Sequence, residues 1–82
     1  SKDGLGIYPQ PVEDYMHICV SGINDTEVTV YNSAGRRLFS GSSRGVSVLD
    51  PFTVDMRGYA PGRYRVEVKY GNRTYKKDVN KK

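Results

Sequence analysis

The run RYRVEVKY-GN-RTYKKDV, residues 63–79, leaves this chain few ways to fold. Tyr64, Val66 and Val68 recur at a period of two, the spacing of one face of a β-strand. Gly71-Asn72 lies between two such runs, which is the composition of a two-residue hairpin turn. A two-residue loop fixes the pairing. One face then sets Tyr70 against Arg73, Val68 against Tyr75, Val66 against Lys77 and Tyr64 against Val79. The other sets Glu67 against Lys76 and Arg65 against Asp78. Those last two pairs join opposite charges, each contributing about 0.2–1 kcal/mol. A slip of one residue would turn every side chain to the wrong face. The apolar stripe and the charges therefore agree on one register. Lys77 alone sits oddly, on the apolar face. An inward lysine on a last strand packs its stem, sends its ammonium to water and discourages sheet extension.

The rest of the chain keeps the same period. Met16, Ile18 and Val20 point one way while Tyr15, His17 and Cys19 point the other. Val28 and Val30 alternate in EVTVY, and NSAG at 32–35 is a turn with Gly35 at a position of positive φ. Arg36–Ser40 returns as a short strand carrying Leu38 and Phe39. SGSSRG, residues 40–45, reads as a mobile loop or ragged edge, and Val46–Leu49 as a weak strand. Phe52, Val54 and Met56 alternate again, and APGR at 60–63 fits a type II turn at Pro61-Gly62. Upstream, Pro9 and Pro11 fix two φ angles and remove two ladder donors. They predict a stiff, extended approach that lies along a sheet edge and not in its middle. Residues 1–6 have linker composition. Six or seven strands at 8–12-residue spacing, with no helical period, predict an all-β fold. The expected form is an immunoglobulin-like antiparallel β-sandwich of about seven strands, with a small barrel as the alternative.

Chemistry is hard to build on this frame. Eighty-two residues make one domain with a thin core and little room for a buried active site. The single histidine, His17, has no carboxylate or nucleophile at a workable spacing. Cys19 is the only cysteine and reads as a small buried side chain. No residue set has metal-ligand spacing, and none is expected to hold a cofactor. Ser40, Ser42 and Ser43 sit in glycine–serine composition without the context of a nucleophile elbow. GSSRG lacks the strand–loop–helix setting of a phosphate loop. Charge is uneven: residues 1–56 carry four basic and seven acidic groups, residues 57–82 nine basic and two acidic. That basic third could serve an anionic partner, but the cross-strand acids partner two of its charges, so no nucleic-acid partner is expected. No apolar run approaches a membrane span, and no signal peptide is present. The polar SKDG start reads as a piece of something longer.

The stretch IYPQPVEDYMHICVSG, residues 7–22, resembles the opening of the C-terminal sorting domain of the type IX secretion system. That pattern is an apolar residue, Tyr-Pro-Asn-Pro, a short polar step and an alternating strand; Tyr8, Pro9 and Pro11 match it, and Gln10 stands at the asparagine. VTVYNSAGRRLF, 28–39, is similar to the family's strand–turn–strand around Gly35. VDMRGYAPGRYRVEV, 54–68, is similar to its Gly-x-Tyr segment at Gly62 and Tyr64. YKKDVNKK, 75–82, resembles its lysine-bearing terminal strand, with a more polar ending than usual. Residues 7–82 carry the likeness, leaving 1–6 as a linker and processing junction. The resemblance implies a seven-stranded immunoglobulin-like fold without enzymatic activity. It implies a domain closing a larger secreted cargo protein, taken through the periplasm and the outer-membrane translocon to the cell surface. Implied partners are the translocon, its shuttle proteins and a sortase-like cysteine peptidase that removes the domain in many members, while others retain it. The recognised element would be the last strand, with Lys76, Lys77, Val79, Lys81 and Lys82. A carbohydrate- or protein-binding accessory module is the alternative, and the exposed last strand is a candidate homodimer site.

Overall fold

A computed structural model describes residues 3–82. Seven strands form two antiparallel sheets: β1 (Leu5–Tyr8), β2 (Tyr15–Val20), β3 (Asn24–Asn32), β4 (Arg37–Val46), β5 (Phe52–Asp55), β6 (Gly62–Tyr70) and β7 (Arg73–Lys81). The smaller sheet runs β1-β2-β5 and the larger β4-β3-β6-β7. This is the sandwich the periodicity predicts. The alternating residues do the packing: Met16, Ile18, Val20, Val28, Val30, Val54, Met56, Val66, Val68 and Val79 are all shut off from solvent between the sheets. Burying a side chain of this size stabilises the fold by about 1.5–3 kcal/mol relative to leaving it exposed.

The closing hairpin has the expected register at every rung, from Tyr70 opposite Arg73 to Gly62 opposite Lys81. Gly71 and Asn72 both take positive φ, +59° and +65°, which is how a two-residue turn follows the right-handed twist of its strands. At the other end of β6, Tyr64 is buried and its hydroxyl donates to the Ala60 carbonyl four residues upstream. That bond is the tyrosine corner of immunoglobulin-like sandwiches. Tyr59 stacks on Tyr64 with ring centroids 5.6 Å apart. Gly62 enters β6 at φ +148°, open to glycine more than to any other residue. Gly35 has φ +83° in the β3–β4 turn, where Asn32 Oδ1 accepts from the amides of Ala34 and Arg36.

Three parts of the chain differ from the sequence expectation. First, residues 40–45 are the ragged edge and not the loop: β4 continues through them to Val46, with a register shift against Asn24–Thr26. Gly41 makes this workable. A Cβ there would come within 2.9 Å of the Phe39 ring, so glycine leaves the space in which Phe39 packs edge-on against Phe52 at 6.1 Å. Val46 therefore ends β4, and Ser47–Asp50 is a turn closed by reciprocal backbone bonds, with no strand of its own. Second, the strands begin at Leu5, inside the stretch expected as a linker; Ser1 and Lys2 lie outside the described residues. Third, Pro9 and Pro11 do not form an extended approach from a linker. They follow β1 and lie in the crossover that takes the chain from the edge of one sheet to the edge of the other, both with cis peptide bonds.

The strand directions give the sandwich two poles. Asp3, the β2–β3 loop, the β4–β5 turn and the Gly71-Asn72 turn lie at one. The prolines, the β3–β4 turn and the end of β7 lie at the other.

Candidate functional site

β7 is an edge strand of the larger sheet, as β4 is on its other side and β1 and β5 are in the smaller sheet, so the outer groups of its backbone are open to a partner. In an antiparallel ladder, alternate residues exchange both hydrogen bonds with the neighbour and the rest point their amides and carbonyls away. A two-residue turn makes Tyr70–Arg73 the first exchanging pair. Arg73, Tyr75, Lys77, Val79 and Lys81 then bond β6, while Thr74, Lys76, Asp78 and Asn80 point outward. The crossover agrees with this parity. Val12 N donates to the outward Asn80 carbonyl at 2.8 Å, and Lys82 N donates to the Val12 carbonyl at 2.8 Å. Val12 thus forms one parallel rung on Lys81, with its side chain fully buried. It covers the last outward positions of β7 and leaves Thr74, Lys76 and Asp78.

The lysines of the strand have different surroundings. Lys77, on the inner face, meets the Asp3 carboxylate at 2.6 Å, and its side chain is 43% exposed. Asp3 also accepts the Leu5 amide at 3.1 Å, and its carbonyl accepts the Tyr70 hydroxyl. Burial, with Tyr75 stacked beside it at 5.2 Å, raises the pKa of Tyr70. Lys82 pairs with Glu13 at 3.2 Å, and Lys81 Nζ donates to the Lys82 carbonyl. Lys76 lies exposed on the outer face opposite Glu67, and among the described residues no carboxylate comes within ion-pair distance of it. Val79 is buried against the core beside Tyr64. The five residues expected to be recognised therefore divide three ways: Val79 holds the core, Lys77, Lys81 and Lys82 have intramolecular partners, and Lys76 faces solvent. Asp3, Val12 and Glu13 complete this surface, and sequence reasoning did not single them out.

The remaining motif residues stand elsewhere. Tyr8 is exposed at the end of β1 beside His17, ring centroids 5.3 Å apart. His17 Nδ1 in turn lies 2.9 Å from Thr53 Oγ1. Nearby, Arg57 sits over the Tyr15 ring at 5.0 Å and bonds Asp55 with two nitrogens, at 3.1 and 2.9 Å. That hydrogen bonding holds the Asp55 carboxyl down to about 2. Cys19 is half-buried against Gly6. On the outer face of the larger sheet a shallow groove of about 680 Å³ runs past Tyr31, Arg63, Arg65 and Asp78. Among the described residues, no three His, Cys, Asp or Glu side chains gather to hold a metal.

The family model for the secretion system C-terminal sorting domain aligns with residues 6–82, nearly the whole chain. No curated protein matches it.

Proposed function

Because the chain belongs to the C-terminal sorting domains of the type IX secretion system, we propose that it is the address of a larger exported protein, read at β7 by strand addition. Membership itself makes the domain a type IX sorting signal, carried by cargo that the system exports through the outer membrane. The family is not one of enzymes. The finer reading concerns what handles the signal. The translocon and its shuttle proteins bind the terminal strand during passage from the periplasm. A sortase-like cysteine peptidase then cuts near residues 1–6. What supports this is one observation: the terminal strand lies at the edge of its sheet with three outward rungs uncovered. Strand addition draws affinity from such main-chain groups and specificity from alternate side chains.

The test fuses residues 1–82 to a periplasmic reporter in a host that has the pathway. Surface delivery that is lost on removal of 73–82 supports the proposal, and N-terminal sequencing of any retained domain locates the cut. A reporter that reaches the surface equally well without 73–82 overturns it.

A further inference from the structure

Resting on that reading, we propose that the partner strand docks only on Arg73–Asp78, and that it places a carboxylate opposite Lys76. Backbone geometry sets the limits. Nine consecutive rungs join β6 to β7 without a bulge, so the outer edge of β7 is straight enough to template another strand. Val12 occupies the far end, and its buried side chain keeps it there. A strand lying along the whole of β7 would have to pull a core residue into water. One that stops at Asp78 displaces nothing.

Charge selects the occupant. Lys77 is satisfied by Asp3, and Asp78 leans toward Arg65 at 3.9 Å. Among the described residues, Arg73 and Lys76 are the cations of this stretch without a carboxylate in ion-pair range, and of the two only Lys76 stands on an outward rung. A second copy of this chain is a poor occupant: the antiparallel register that uses all three free rungs sets Lys76 against Lys76 of the other copy. Like charges directly opposite one another destabilise a strand pair. An acidic extended segment of a different protein has no such conflict. In this arrangement Lys81 and Lys82 belong to a clasp at the far pole, made by the Val12 rung and the Glu13–Lys82 ion pair, and not to docking.

Proline tests the edge without breaking the domain. The Lys76 amide points outward, so Lys76→Pro removes a docking donor and obstructs an incoming strand while the β6 ladder stays whole. The reporter fusion is compared as wild type, Lys76→Pro, Lys76→Glu and Lys81→Glu/Lys82→Glu, with thermal unfolding of each domain followed by circular dichroism. Surface delivery is expected to fall by roughly ten-fold or more for Lys76→Pro, the scale of one or two lost hydrogen bonds. Lys76→Glu falls in the same direction, and the Lys81/Lys82 double variant stays near wild type. If Lys76→Pro does not fold, Thr74→Pro and Lys76→Glu carry the comparison. A folded Lys76→Pro delivered like wild type overturns the docking site and leaves the sorting role intact. So does a loss confined to the Lys81/Lys82 variant. Retention of the wild-type fusion in the periplasm overturns both.

Discussion

The two edges of the larger sheet are protected in different ways. β4 is irregular: its pairing with β3 shifts between Asn24 and Thr26 and again between Val30 and Tyr31, and Gly45 turns to φ +67°. Such bulges twist an edge and spoil it as a template. β7 is regular along its whole length; Val12 covers its Lys81 end, while the Asp3–Lys77 ion pair lies mid-strand on the inner face, clear of the outward backbone groups. An edge spoiled by its own backbone stays closed to every strand. An edge covered at one end can still accept a strand along the rest of its length. The difference is the reason β7, and not β4, is proposed as the recognised edge.

Three substitutions sharpen or break that contrast. The largest effect is expected from Val12→Ala, which removes two buried methyl groups and loosens the clasp, at a cost of about 2–3 kcal/mol in denaturant unfolding. Amide exchange should accelerate in β7 at Asn80–Lys82 more than in β4. Equal acceleration at both edges would mean the clasp does not hold β7. Next is Gly45→Ala. The nearest atom to a Cβ there is Ile23 Cγ2 at 3.8 Å, so space is not limiting. The cost is that of a side chain at positive φ, about 1–2 kcal/mol. An unchanged stability would show that β4 has other ways to form its edge. The smallest is Asp3→Ala. It takes a partly exposed ion pair from Lys77, for roughly 0.5–1 kcal/mol in a thermal melt at low salt. That loss should shrink in high salt; one insensitive to salt would point to the Leu5 and Tyr70 bonds instead.

How legible each part was in the sequence follows from the distance between its partners. The β6–β7 hairpin carries turn, stripe and charges within seventeen consecutive residues, so local chemistry alone fixes its register. The contacts of β7 and its turn with the first residues join opposite ends of the chain; Val12 and Lys82, or Asp3 and Tyr70, which are 67 positions apart, are examples. No period or turn signal links them. β1 did have a signal in Leu5 and Ile7, but glycines on either side and Pro9 just beyond make the stretch read as a linker. The same nearness misplaced the prolines, whose restricted φ is legible while the sheet edge they lead to is not. In β4 the glycines and serines of 40–45 mimic a loop, and only the Phe39 ring over Gly41 explains the strand. Among the terminal lysines, composition could not separate Lys76 from its neighbours, because Asp3 and Glu13 reach theirs from distant segments.

Asp3 and Lys82 lie at opposite poles of a body about 32 Å long, and β1 and β7 both run from the first pole to the second. Tension applied between those ends would act along the strands, loading the rungs of each ladder in shear and together, where a hairpin pulled from its open end would unzip one rung at a time. Under the proposed role, that geometry would keep so small a domain folded while one end is held and its cargo pulls on the other.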